Sequence, residues 1–193
     1  MINCTKIYIR HAEKKYKNGF SNKHKFDPQI TDNGEFNTEI LAQKLLKLYG
    51  KPDIIICSPY LRTRQTASIL RKMADENIEI LYDVHLSEYL GNHQSDILDV
   101  HPETKKYKPP HPENFKQFCY RIRHHDNYTK KLTSLAQKNG INIVIWIVTH
   151  GIVINQLARL YGMKRNKQVE NLSGIIINDY TIQEFNYKSL LST

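Results

Sequence analysis

Cysteine is scarce in this chain. Cys4, Cys57 and Cys119 are an odd number, and no two have Cys-x-x-Cys spacing. A disulfide framework is therefore excluded as the organising device, and so is a thiolate metal site. Cys57 sits in an apolar run and Cys119 in a helical pattern, so reduced thiols in a reducing, cytoplasmic compartment are expected. No stretch approaches the roughly 18 apolar residues of a spanning helix, and the N-terminus has no long apolar segment. Neither a membrane span nor a signal peptide is expected. Glycine and proline are few, at 8 and 7 residues, and there is no Ser/Gly linker, repeat or low-complexity tract. A single domain over residues 1–193 follows. Also absent are a Gly-x-x-x-x-Gly-Lys loop and a Gly-x-Gly-x-x-Gly turn, which removes support for nucleotide-triphosphate and dinucleotide folds.

What is present begins with charge. The net charge is +9, which favours an anionic partner. The pairs Lys14-Lys15, Lys105-Lys106 and Lys130-Lys131 are dispersed and have no aromatic interleaving, so they read as solvated surface and disfavour nucleic acid as the partner. Of the nine histidines, His85, His93, His101, His111, His124 and His125 show no His-Glu-x-x-His or Cys/His spacing. They read as exposed histidines in polar segments, and no metal is expected.

Hydrophobic periodicity sets the elements. Lys6–Ile9 reads as a first strand and Glu13–Gln29 as a polar loop. Asp32 is the expected cap of a helix on which Phe36, Ile40, Leu41, Leu45 and Leu48 recur, ended by Gly50 and Pro52. Asp53–Cys57 is a continuous β-branched run, expected of a strand covered on both faces. Ser58-Pro59 reads as a cap and first-turn proline for a helix reaching about Lys72. Ile78–Tyr82 is a further strand, and residues 91–112 form an irregular surface excursion. Phe115–Asn139 is one long helix or two broken ones, stopped by Gly140. Ile141–Val148 is the strongest strand, and a helix over Gly151–Leu160 follows. Ile175–Ile177 and Tyr180–Phe185 are the last strands. The alternation predicts a three-layer α/β/α fold with a mostly parallel sheet and an antiparallel edge strand.

Three positions share one context. Arg10-His11, Arg62 and His150-Gly151 each follow a buried-looking strand, where the chain turns into a loop or helix. Ligands of open α/β sheets bind outside such carboxyl ends. Two arginines and two histidines gathered there suit a phosphate dianion, because the planar guanidinium donates paired hydrogen bonds to phosphate. A helix N-terminus adds main-chain donors. A neutral imidazole can be the nucleophile, and a carboxylic acid can protonate the leaving oxygen.

These residues stand in ordered motifs. Ile9-Arg10-His11-Ala12-Glu13 resembles the Arg-His-Gly motif of the histidine phosphatase superfamily, also called phosphoglycerate-mutase-like. Cys57-Ser58-Pro59-Tyr60-Leu61-Arg62-Thr63-Arg64-Gln65-Thr66-Ala67 is similar to its Ser-Pro-x-x-Arg-x-x-Gln-Thr-Ala motif. Val148-Thr149-His150-Gly151 resembles its second histidine motif. Asp27-Pro28-Gln29-Ile30-Thr31, with Gly34, resembles its Leu-Thr-x-x-Gly helix start, and Leu86-Ser87-Glu88 the segment carrying its usual acid. One Arg-His pair alone says little; five motifs in order over three quarters of the chain say much more.

The resemblance implies that His11 is the nucleophile, that Arg10, Arg62 and His150 surround the phosphate with it, and that Glu88 is proton donor and later base. It implies no metal and no cofactor. Glu13 is the alternative acid, with motif position favouring Glu88. Glu13, Arg64 and His93 are candidates for the substrate mouth. Ala12 replaces the usual glycine, tolerable if its φ is negative. Lys17 stands where mutases carry an asparagine, and the chain is short for one. A phosphomonoester hydrolase is therefore expected ahead of a cofactor-dependent phosphoglycerate mutase, with a catalytically silent binding module last. A small phosphate ester or a phosphoprotein is the expected substrate. Lysine-rich surroundings favour small, multiply anionic esters, and the Arg-His-x-Glu start resembles members that accept phosphotyrosine. Monomer and dimer stay equally open.

Overall fold

A computed structural model of the chain describes residues 3–15, 26–91, 100–164, 167–179 and 181–191. Its strands are β1 (Cys4–Arg10), β2 (Ile54–Cys57), β3 (Ile80–Tyr82), β4 (Ile143–Thr149), β5 (Gly174–Ile177) and β6 (Ile182–Phe185). Its helices are α1 (Asp32–Tyr49), α2 (Leu61–Ala74), α3 (Pro102–Lys105), α4 (Phe115–Lys138), α5 (Gly151–Leu160) and α6 (Tyr187–Leu191), with a 3-10 turn at Val84–Leu86. The sheet order is β3-β2-β4-β1-β5-β6. β1, β2, β3 and β4 pair in parallel, while β5 runs antiparallel to both β1 and β6. The antiparallel pairing lies at that edge of the sheet, as expected, but two strands build it, with β6 outermost.

Side-chain alternation divides the core into two. Ile7, Ile9, Ile55, Trp146 and Val148 face one cluster with Leu41 and Leu45 of α1 and Leu70 of α2. Tyr8, Ile56, Ile145 and Ile147 face the other, with Phe118 and Ile122 of α4 and Val153 and Leu157 of α5. The β-branched runs are thus covered on both faces, giving three layers. At Gly174 a Cβ would lie 1.7 Å from the Tyr8 carbonyl oxygen, so only glycine lets β5 approach β1 there.

Several local expectations need correction. Thr31, not Asp32, caps α1, because its hydroxyl accepts the Gly34 N–H at 2.9 Å. Phe36 and Leu48 follow the α1 period yet are 61% and 50% exposed, leaving Leu41 and Leu45 to anchor the helix. Ser58 does not cap α2: Tyr60 occupies that position, without a side-chain cap. α4 is one unbroken helix, opened by an Asn114–Gln117 capping box. The 91–112 excursion is not all superficial, since Val100 and Thr104 are buried. His125 is fully buried rather than exposed, accepted by Asp83 through Nδ1 at 2.7 Å and within 3.3 Å of the Tyr8 hydroxyl.

Candidate active site

The sheet order places β2, β4 and β1 side by side, and their register makes their carboxyl ends level. Cys57 pairs with Val148, and Arg10 with Thr149. The next residue of each strand is fastened to β4: Ser58 N–H donates to Val148 O at 3.0 Å and His11 N–H to Thr149 O at 2.9 Å. His11, Ser58 and His150 therefore meet at one point though the two histidines stand 139 positions apart in sequence. The imidazole centroids are 5.4 Å apart, edge to face.

His11 is 2% exposed, and its Nδ1 lies 2.7 Å from Ala12 O. A carbonyl only accepts, so Nδ1 carries the proton and Nε2 keeps its lone pair. Burial first, and then the Arg62 charge, hold the His11 imidazole well below its ordinary pKa. The ring is neutral at pH 7, the form in which it can attack. Ala12 lies outside the positive-φ region, which removes the objection to a Cβ there, and its N–H donates to Thr66 Oγ1 at 3.0 Å.

Arg62, at the start of α2, is wholly buried. Its Nη1 donates to Phe26 O at 3.1 Å and to Asp27 Oδ1 at 3.3 Å, and its Nη2 to Glu88 Oε2 and, at 3.2 Å, to His150 Nδ1. The guanidinium also lies 4.8 Å from the Tyr60 ring centroid. Its Nε is buried and has no hydrogen-bond partner among the described residues. Since guanidinium only donates, neutral His150 accepts on Nδ1 and donates from Nε2 to Ser58 Oγ at 2.9 Å. Burial, then Arg62 and His11, push the His150 pKa well down. Glu88 Oε2 stands 3.9 Å from His150 Nδ1, with a side chain 29% exposed.

Arg10 crosses the α5 N-terminus, where a Cβ on Gly151 would lie 3.6 Å from its Cδ, and its Nη1 donates to Val169 O. Glu13 is exposed and accepts the Thr31 hydroxyl at 2.9 Å. With Arg10 and Lys14 it lines a polar cleft of about 650 Å³. The structure thus groups Glu88, not Glu13, with Arg62 and His150. Arg64 lies in the first turn of α2, two residues after Arg62, and is half-buried. His93 lies outside the described residues. No group of three or more His, Cys, Asp or Glu among the described residues could hold a metal ion. Among the described residues, no helix is long and apolar enough to cross a membrane.

Sequence reasoning missed four partners. Asp27 pairs with Arg62 and accepts the Leu61 N–H at 2.7 Å and the Thr104 hydroxyl. Burial pushes its carboxyl pKa up, against Thr104 and Arg62. Ser58 holds His150 instead of capping α2. Glu113 and Arg121 form a buried ion pair below Glu88. The available signal for Arg121 was its place on the Phe118–Ile122–His125 face of α4, where an unpaired charge would be costly.

A family model for the histidine phosphatase superfamily (branch 1) matches residues 7–188. Solved structures similar to this chain include a phosphoglycerate mutase from Bacillus anthracis (17% identity, 98% of this chain and 96% of that one, TM-score 0.73). A mycobacterial glucosyl-3-phosphoglycerate phosphatase is similar at 19% identity over 92% and 91% of the two chains, TM-score 0.61. A phosphoserine phosphatase from Entamoeba histolytica, solved with 3-phosphoglyceric acid, is similar at 22% identity over 90% and 89%, TM-score 0.57. Comparison with curated proteins finds no significant match.

Proposed function

Because the chain belongs to the histidine phosphatase superfamily, branch 1, we propose that it is a metal-independent phosphomonoester hydrolase acting through a phosphohistidine at His11. The observation that carries this reading is the bond from His11 Nδ1 to Ala12 O, which leaves a lone pair on Nε2 beside Arg62 and His150. Nε2 attacks phosphorus, the bond to the leaving oxygen breaks, and Glu88 gives that oxygen its proton. Water then yields a proton to Glu88 and attacks phosphorus. The P–N bond breaks, releasing phosphate and neutral His11.

Arg62 couples binding to acid chemistry. Its Nη2 is shared between Glu88 and His150, and its buried Nε is a further donor for the anion. A phosphate dianion competing for this guanidinium displaces Glu88 from Nη2 and frees the carboxyl for the leaving oxygen. Arg10 and the N–H groups opening α5 complete the cradle. Substrates are small phosphate esters or phosphorylated side chains.

The test is hydrolysis of p-nitrophenyl phosphate in excess EDTA by wild type and His11→Ala, with trapping of labelled enzyme. Expected are turnover by wild type only and an acid-labile, base-stable phosphoryl adduct that the variant lacks. An adduct that transfers to a second monophosphate rather than to water would replace the hydrolase with a mutase. Phosphate-analogue binding without an adduct would replace it with a silent binding module.

A further inference from the structure

We propose that Arg121, clamped by Glu113, is a positioning residue for the proton donor; the inference rests on Glu88 being that donor. Glu88 sits on no regular element. It follows the 3-10 turn Val84–Leu86, on a strand-to-helix connection that would ordinarily be among the looser parts of a fold. Yet the carbonyls before and at Glu88 are all held. Arg121 Nη1 takes His85 O at 2.6 Å and Ser87 O at 2.8 Å, and Nη2 reaches Glu88 O at 3.5 Å. Leu86 O accepts the Thr149 hydroxyl at 2.8 Å, from the residue preceding His150. Four consecutive carbonyls are thus fixed, three by one guanidinium.

That guanidinium is itself fixed. Arg121 Nε donates to Glu113 Oε2 at 2.8 Å and Oε1 at 3.1 Å, and Nη2 also donates to Oε1. Arg121 is 6% exposed and Glu113 4%, and the cation lies 4.8 Å from the Phe118 ring centroid. Glu113 N–H donates to Gly91 O at 3.4 Å, so the pair grips the chain on both sides of Glu88. Lysine could not substitute, since one ammonium has three donors on a single atom and cannot span Glu113 and three carbonyls. General-acid catalysis needs the proton within hydrogen-bond reach of the leaving oxygen, so slackening this segment weakens proton delivery without removing the acid.

The experiment measures kcat/KM for aryl phosphates from dinitrophenyl through nitrophenyl to phenyl phosphate, in wild type, Arg121→Lys, Glu113→Gln and Glu88→Gln. A good leaving group needs no proton, and a poor one does. Arg121→Lys and Glu113→Gln are expected to lose about tenfold or more on phenyl phosphate but under about threefold on dinitrophenyl phosphate, steepening the leaving-group dependence as Glu88→Gln does. A uniform loss, or none, in both brace variants while Glu88→Gln steepens the series overturns the positioning role and leaves the acid in place. An unchanged slope in Glu88→Gln overturns the acid assignment itself, and the positioning role with it. If Arg121→Lys fails to fold, the milder Glu113→Gln decides alone on the same criterion.

Discussion

Two buried arginines stand on either side of Glu88, and they are used differently. Arg121 spends Nε, Nη1 and Nη2 on one carboxylate and three carbonyls, all rigidly placed. Arg62 is more deeply buried, yet its Nε has no partner among the described residues, and its Nη2 is shared between a partly exposed carboxylate and an imidazole. A saturated guanidinium can only hold. One with a donor in reserve and an exchangeable partner can bind. Burial alone does not distinguish scaffold from site; the disposition of the donors does.

The largest expected effect breaks the scaffold side. Arg121→Met leaves Glu113 buried without its cation and should cost about 3–5 kcal/mol of stability in denaturant melts. Adding Glu113→Leu should recover most of that stability, since a buried pair replaced as a pair is often near neutral. A double variant as unstable as the single would mean that the guanidinium's carbonyl bonds, not the charge pair, carry the energy. Arg62→Lys should do the reverse. It keeps the positive charge opposite Asp27, so the melt should shift little, while kcat/KM for an aryl phosphate falls about 10²–10³-fold with the loss of forked donation. Equal losses of stability and activity in both arginine variants would erase the distinction.

Titration sharpens the comparison at a smaller scale. His11 and His150 are held neutral around Arg62 by burial and by its charge. In the unfolded chain each protonates near pH about 6.5. The unfolded state then binds more protons, so stability is complete above that pH and declines as the pH falls below it, by at most about 1.4 kcal/mol per pH unit for each histidine. His150→Asn should lose part of that decline between about pH 6.5 and 5, whereas Arg121→Met should keep most of it, because burial and then Arg62, ahead of Arg121, hold His150 down. Chemical denaturation across that range measures it.

The same contrast explains how much was legible in the sequence. The β-branched run Asp53–Cys57 announced a strand covered on both faces and Ile141–Val148 the strongest strand, seen as Ile54–Cys57 and Ile143–Thr149, and motifs at strand ends marked His11, Arg62 and His150. These signals are local, because period and punctuation are properties of neighbouring residues. What pairs with a buried charge is not local. Ser58 looked like a cap because Ser-Pro before a helix usually supplies one, but His150, between β4 and α5, claimed its hydroxyl. Asp27 lay within a helix-start motif whose pattern says nothing of Arg62. His125 stood beside His124 in a polar stretch, and only the helical phase of Phe118 and Ile122 distinguishes it. Thr31 rather than Asp32 capped α1, a one-residue error that spacing to Gly34 resolves.

The smallest effect decides the identity of the acid, on which the contrast between the arginines depends. Glu13 follows His11 by two residues, but its side chain is exposed and accepts the Thr31 hydroxyl, a hydrogen bond that serves the start of α1. Glutamine keeps an acceptor there, so Glu13→Gln should change kcat/KM for phenyl phosphate by less than about twofold, against a loss of about 10²-fold or more for Glu88→Gln. Should Glu13→Gln lose as much, with the loss growing as the leaving group worsens, then Glu13 delivers the proton across the cleft beside Arg10. Glu88 would then serve as the counter-ion of Arg62, and Arg121 would brace a binding residue rather than an acid.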